Sequence, residues 1–196
     1  MFAKRIVLLF ACAFLAGTSM AATLVRMDLS QLTRGAAVVV QARCLGSASD
    51  WDRGEIWTLA RFEPIETFKG HTPTPFTVRL LGGKVGAIES VVNGVPHFRP
   101  GEQVVLFLVP APGGAYSIVA WSEGTFRVRK DSRGHAFVTQ DTAARMVYNP
   151  ATRKFQAQGV NRMPLSRFRE LVEKFARQKW QAAPNASGSS AGGRKP

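Results

Sequence analysis

Ser122, Asp131 and His135 follow one another in the chain order of a serine hydrolase triad. Residues 120–124, with Ser122 at their centre, differ by one residue from the Gly-x-Ser-x-Gly motif that presents the nucleophile in those enzymes. That turn needs a strand followed by a helix inside a parallel sheet, whereas Phe126 and Val128 continue the alternation of a strand. The segment that begins at Asp131 is also typical of a hairpin turn. The sequence therefore predicts no hydrolase site.

The patterns that could bind a metal are equally incomplete. His71, His97 and His135 are separated by 26 and 38 residues, and none has a neighbour at the spacing of a zinc ligand. Residues 50–55 resemble the start of a calcium loop, but Arg53 occupies a ligand position and the later bidentate glutamate is missing. We therefore expect no catalytic, cofactor-binding or metal-binding residues, no cofactor, and a protein that is not an enzyme.

Aromatic side chains form the first candidate binding surface. Rings exposed on a β-barrel can stack on sugars or on bases, although packing in the core or at the rim is the other interpretation. The candidate residues are Trp51, Trp57, Tyr116 and Trp121.

Basic side chains form the second candidate. The chain carries a formal charge of +13, of which residues 142–196 contribute +9 and residues 22–141 only +2. An amphipathic helix is predicted at 164–180, where Leu165, Phe168, Val172 and Phe175 form an apolar stripe. Its cations are candidate contacts to an anionic surface: Arg167, Arg169, Lys174, Arg177 and Lys179. The favoured alternative is that the stripe docks on the sheet and the charges face solvent.

The first 21 residues predict a signal peptide. Lys4 and Arg5 precede an apolar run over residues 6–16, and Ser19-Met20-Ala21 places small residues where a signal peptidase reads. We expect cleavage after Ala21 and export to the periplasm or beyond; lipidation at Cys12 is a second interpretation. After cleavage only Cys44 remains, and it lies on an alternating apolar face that indicates a buried core position.

Period-two alternation interrupted by turn residues dominates residues 22–141. It predicts a helical turn at 28–32, a polar turn at 47–53, a bulge or edge at Pro64 and a hairpin at Asn93-Gly94. Residues 102–109 are apolar on both faces and should form the most buried strand. The strands are predicted at 36–45, 54–69, 76–81, 88–92, 95–98, 102–109, 116–121, 124–130 and 135–140. Residues 142–181 form a linker and the C-terminal helix, and residues 182–196 a disordered basic tail.

Several segments between about residues 24 and 130 carry a family resemblance. They are Ala37-Val38-Val39-Val40, Trp51, Ile56-Trp57-Thr58, Phe68-Lys69-Gly70, Leu81-Gly82-Gly83 and the run from Phe98 to Leu108. They resemble a group of uncharacterised exported bacterial proteins, which in turn resemble the oligonucleotide/oligosaccharide-binding (OB) barrel of netrin-like modules and tissue inhibitors of metalloproteinases. The resemblance implies a closed or partly open antiparallel barrel. It transfers no inhibitory residue, because those inhibitors use a free N-terminal cysteine and the expected start here is Ala22 or Thr23.

The sequence thus predicts a mainly β, OB-like barrel with one C-terminal amphipathic helix. We expect an exported, non-enzymatic binding module that recognises another envelope or secreted protein. Weak contact of the C-terminal segment with an anionic membrane or polymer is a secondary expectation, and nucleic acid is not an expected partner. The alternatives are a protease-inhibitor-like module that acts by loop insertion and an envelope enzyme of an unrecognised class.

Overall fold

The computed structural model describes residues 27–142, 146–149, 153–157 and 159–178. The predicted signal peptide and the basic tail lie outside these residues. The described chain is mainly β, and none of its helices is long and apolar enough to cross a membrane. Its elements are α1 (Leu29–Gly35), β1 (Val38–Asp52), β2 (Glu55–Lys69), β3 (Phe76–Leu81), β4 (Gly83–Val85), β5 (Ile88–Ser90), β6 (Gln103–Pro110), β7 (Tyr116–Ile118), β8 (Thr125–Lys130), β9 (Ala136–Gln140), β10 (Met146–Asn149), β11 (Lys154–Ala157), β12 (Met163–Pro164) and α2 (Leu165–Arg177).

Five strands of the main sheet follow one another in a ring. β1 pairs antiparallel with β2 on one side and with β6 on the other. β2 pairs with β3 and β6 with β7, both antiparallel, and a short parallel contact between Val78 of β3 and Tyr116 of β7 completes the circuit. From β6 the sheet also continues outwards through β8 and β9 to β12. The predicted mainly β fold with a C-terminal helix is confirmed at this level.

β6 has apolar residues on both faces because it separates two cores. Val104, Leu106 and Leu108 point into the ring, where they pack with residues of β1, β2 and β3. Val105 and Phe107 point the other way and pack under the two helices. All five side chains are fully buried, so the prediction of a most buried strand at 102–109 is confirmed.

Both helices cover the outer side of β1, β6, β8 and β9. α1 begins with a capping box in which the Asp28 side chain accepts from the backbone N–H of Gln31, and the Gln31 side chain accepts from that of Asp28. Phe168 and Val172 of α2 are fully buried in the second core. The apolar stripe of α2 is therefore docked on the sheet, which was the favoured interpretation.

Two predicted turns are wrong. β1 extends to Asp52, and only Arg53 and Gly54 turn, because pairing with β2 holds residues 46–52 extended. The chain turns at Asn93-Gly94 but forms no hairpin there, since β5 already pairs with β4. The predicted strand at 95–98 is absent from the described sheet, because Val95 and Phe98 point into the ring core from an irregular segment.

Two further expectations concern local irregularities. The register of β1 and β2 shifts so that Ala42 lies opposite Pro64 while Gln41 lies opposite Glu66. The extra residue between them confirms the predicted bulge at Pro64. The strand predicted at 116–121 ends at Ile118, and Trp121 begins a short 3-10 turn instead.

Candidate binding surfaces

The residues that imitate a hydrolase triad are engaged in other contacts, since Ser122 binds a distant segment and Asp131 and His135 lie in one turn. The Ser122 hydroxyl donates to the Gly94 carbonyl at 2.6 Å. Asp131 accepts the backbone N–H groups of Arg133 and His135, which outweighs the opposing effect of desolvation and lowers the pKa of Asp131. His135 is exposed, and its Nδ1 lies 3.4 Å from Asp131 Oδ2. Within the described residues, no group of three or more His, Cys, Asp or Glu side chains is placed to hold a metal ion.

Cys44 occupies the buried position that its alternating pattern predicted. Its side chain is fully enclosed in the ring core, and burial raises the pKa of the thiol. A thiol that stays protonated and enclosed is a poor nucleophile. Cys44 therefore contributes packing to the ring core.

Of the four predicted aromatic residues, Trp57 lies on the outer face of β2 and β3. Cross-strand partners share a face of a sheet, and the register places Trp57 opposite Leu81 and Leu59 opposite Arg79. These four residues, here called the β2–β3 platform, lie side by side on the outside of the ring. Leu59 is 46% exposed, and Trp57, Arg79 and Leu81 are half-buried.

Arg79 is fixed on this platform by two contacts. Its guanidinium carbon lies 3.9 Å from the centroid of the Trp57 ring, a cation–π geometry. Its Nη2 donates to Asp52 Oδ2 at 2.5 Å. The two contacts hold the guanidinium over the indole and next to a carboxylate. The platform thus presents apolar surface and a partly satisfied cation together.

The opposite face of the β1–β2 ribbon is covered by the β4–β5 hairpin. The Thr58 hydroxyl donates to the Gly82 carbonyl at 2.7 Å and lies 2.8 Å from the Ser49 hydroxyl. A Cβ on Gly83 would stand 2.3 Å from the Thr58 hydroxyl, so glycine is needed for this close approach. The hairpin covers one face of the ribbon, and the β2–β3 platform lies on the opposite face, which stays open.

The other three predicted aromatic residues lie elsewhere. Trp51 pairs with Ile56 and therefore faces away from the β2–β3 platform, with 47% of its surface exposed. Tyr116 packs edge-on against Phe76, at 6.0 Å between ring centroids, at the border of the ring core. Trp121 is 43% exposed in the turn beside Gly94. The structure therefore does not bring the four residues together, because strand alternation separates Trp51 from Trp57 and a turn carries Trp121.

Three of the basic residues predicted on α2 have acidic partners. Arg169 pairs with Glu66 of β2 and lies over the Phe68 ring at 5.6 Å. Two further pairs lie within the helix, Arg167 with Glu170 at 3.1 Å and Arg177 with Glu173 at 3.7 Å. Lys174 is exposed, and Lys179 lies outside the described residues. The charge of this helix is thus largely compensated locally.

The fold brings together a second group of cations that the net charge of each chain segment does not reveal. Around the β8–β9 hairpin, five exposed basic residues take part in none of the described ion pairs: Arg99, Arg129, Lys130, Arg133 and Arg162. All 13 acidic residues of the chain belong to the described part, so no Asp or Glu elsewhere could compensate these cations. We call this group the cationic face. Its signal in the sequence is the cluster of basic residues at positions 129, 130 and 133.

Arg127 explains why the cationic face lacks acidic partners. Its guanidinium binds Asp141 through Nε at 2.6 Å and Nη2 at 2.7 Å, and Glu102 through Nη1 at 2.7 Å. It also donates to the His97 carbonyl at 2.9 Å and covers the Phe98 ring. Burial by itself would lower the pKa of Arg127, but the two carboxylates outweigh it and the pKa is raised. One arginine therefore uses both neighbouring acids.

In comparisons with known proteins, no protein-family model and no curated protein matches the chain.

Proposed function

We propose that this protein is an exported, non-enzymatic binding module with an OB-type barrel, and that it recognises another envelope or secreted protein through the β2–β3 platform. The barrel type is supported by the ring order β1-β2-β3-β7-β6, in which the last ring strand in the chain lies between the third and the fourth. This is a Greek-key arrangement of five strands, as in OB barrels. The resemblance noted in the sequence points the same way.

The observation that carries the proposal is the stacking of Arg79 on Trp57 beside the exposed Leu59. In OB barrels the face of the second and third strands is the usual ligand surface. Tryptophan and arginine are the residues most enriched at binding hot spots, where a rigid ring and a pre-positioned guanidinium lose little entropy on binding. Here both are held in place before any partner arrives.

A protein partner fits this surface better than a sugar or a base. Stacking of a sugar or base needs an open ring face, and the guanidinium of Arg79 already lies over the Trp57 ring. Leu59 and Leu81 add aliphatic surface, which contributes to affinity when another apolar surface covers it. A partner with an apolar side chain next to a carboxylate would match both parts of the platform.

The test compares Leu59→Asp with Ile65→Asp. Both residues lie on β2 and are 46% exposed, and Ile65 lies at the bulge outside the platform. A thermal melt of each variant checks that both are folded. Chain 22–196 is cross-linked in envelope extract and in the secreted fraction, the captured protein is identified and purified, and its affinity is measured. We expect Leu59→Asp to weaken binding by roughly 30-fold, the scale of a hot-spot loss, and Ile65→Asp to leave it unchanged.

Equal affinities for both variants would refute the platform as the binding site. Capture of no protein from either the envelope or the secreted fraction would refute the partner class. Export itself is tested by intact mass, since protein recovered outside the cytoplasm should begin at Ala22 or Thr23. A mass that retains Met1 would contradict it.

A further inference from the structure

The cationic face forms a groove between the segment that precedes β6 and the strand β8. The groove has a volume of about 430 Å³, and its charged lining consists of Arg99, Glu102, Arg127, Arg129 and Lys130. Glu102 is bound by Arg127, which Asp141 also neutralises. Within the described residues, Arg99, Arg129 and Lys130 are left as cations without a carboxylate partner.

The positive surface continues along the sheet beyond the groove. Arg129 lies opposite Phe137 in the β8–β9 register, and the guanidinium of Arg162 lies 4.2 Å from the centroid of the Phe137 ring. Arg133 is exposed at the turn of the same hairpin, where Asp131 is engaged by backbone N–H groups. Cations therefore extend in a row from Arg99 through Arg129 to Arg162, which fits a ligand with several separated anionic groups.

Two observations determine the class of that ligand. The aromatic rings of the cationic face are already covered, Phe98 by Arg127 and Phe137 by Arg162. Single-stranded nucleic acid therefore finds no free ring on which to stack. The face also lacks the apolar anchors that protein partners and membranes use. The large exposed hydrophobic residues of the described chain all lie on other elements: Leu45, Trp51, Leu59, Ile65, Ile88, Val91 and Trp121.

We propose that the cationic face binds a linear acidic polysaccharide, a chain that carries carboxylate or sulfate groups at regular intervals. Guanidinium groups bind such anions through paired N–H donors, and several weak exposed contacts add up along one chain. The site is separate from the β2–β3 platform and does not depend on the function proposed for that platform.

The probes are polygalacturonate and dextran sulfate of defined length, with neutral dextran as the blank. Binding to chain 22–196 is measured by titration calorimetry at several salt concentrations. The test variant is Arg99→Ser/Arg129→Ser, and the matched control is Arg167→Ser/Arg177→Ser on α2, which removes the same charge from another surface. All four side chains are exposed, and a thermal melt confirms that each variant is folded.

We expect the test variant to lose at least tenfold in affinity for one or both acidic polysaccharides at low salt. Its salt dependence should become shallower by about two counterions, because each exposed cation that contacts an anionic polymer contributes about one. The control should change affinity less than threefold, and so should Leu59→Asp. The single reversal Arg129→Glu should reproduce the loss.

Equal losses in the test and control variants would overturn the proposal, because they would mean that net charge alone drives the binding. Failure of both polysaccharides to bind would overturn it as well. The proposal would also be overturned if the test variant alone lost affinity only for duplex DNA, for a polyglutamate peptide or for phosphatidylglycerol vesicles. Each of these results would assign the face to another class of ligand.

Discussion

Phe168→Ala tests whether α2 stabilises the ring of strands or merely lies upon it. The Phe168 ring is fully buried, and its centroid lies 4.8 Å from that of Phe126 and 6.3 Å from that of Phe107. Phe107 belongs to β6, which is also a wall of the ring. If the packing is as described, removing one ring from the helix must weaken the whole sheet.

The magnitude follows from burial and packing. Truncation of a fully buried phenylalanine to alanine costs about 3–5 kcal/mol, which includes the transfer of the ring and the cavity that remains. In a domain of this size each kcal/mol lowers the melting temperature by about 2–4 °C. We therefore expect a decrease of roughly 6–20 °C in a single cooperative transition.

The assay is thermal and urea unfolding of chain 22–196, followed by circular dichroism in the β-sheet region. Leu171→Ala is the matched control, because Leu171 lies on the same helix but is only half-buried, and it should cost about 1 kcal/mol. The reasoning is refuted if the two variants melt at the same temperature, or if Phe168→Ala melts the helix alone and leaves the sheet transition in place.

Two smaller predictions concern the capping box and the thiol. Asp28→Ala should cost about 1 kcal/mol at neutral pH by urea unfolding, because it removes the acceptor for the Gln31 N–H. That hydrogen bond lowers the pKa of Asp28, so the cap stabilises the fold above the unfolded pKa and is lost as the carboxylate protonates. The difference between wild type and variant should therefore shrink below about pH 4, and a constant difference would contradict the assignment. Cys44→Ser should cost about 1–3 kcal/mol, since a hydroxyl would be buried in an apolar site. A thiol reagent should label Cys44 slowly in native protein and rapidly in denaturant, and fast native labelling would show an accessible thiol.

The strands within the cores could be predicted because the burial of each strand face determines whether its residues are apolar or polar. Residues 76–81 alternate strictly, since one face of β3 meets the ring core, and they form a strand at the predicted positions. β6 could be recognised by its unbroken apolar run, since a strand between two cores needs apolar residues on both faces. In these strands the local pattern and the tertiary environment agree.

Prediction failed where the structure depends on a pairing that the local sequence does not encode. Residues 46–52 lie where β1 has left the core beyond Cys44, and their register with β2 keeps them extended. Asn93-Gly94 has the composition of a hairpin turn, but Ser122 binds the Gly94 carbonyl through both its backbone N–H and its hydroxyl. That contact between distant segments decides the path of the chain there.

The candidate surfaces show the same limit, because a surface is formed by residues that meet through the fold. Residues 22–141 are nearly neutral as a segment, yet Arg127 binds both Glu102 and Asp141 and leaves its neighbours Arg129 and Lys130 uncompensated. In α2 the opposite happens, since Arg169 finds Glu66 across the molecule. The charge of a local surface therefore depends on which carboxylates already form ion pairs. The net charge of a chain segment does not reveal it.

The order of the strands separates the two proposed surfaces. The β2–β3 platform lies on one wall of the ring, while the cationic face lies around the β8–β9 hairpin, beyond β6 in the outward extension of the sheet. β7 and β6 stand between β3 and β8 in the strand order, so neither set of side chains forms part of the other. Substitutions that are distant and share no contacts usually have additive effects. A ligand on one surface should thus leave the affinity of the other unchanged, which would allow the module to hold a protein partner while attached to an acidic polymer.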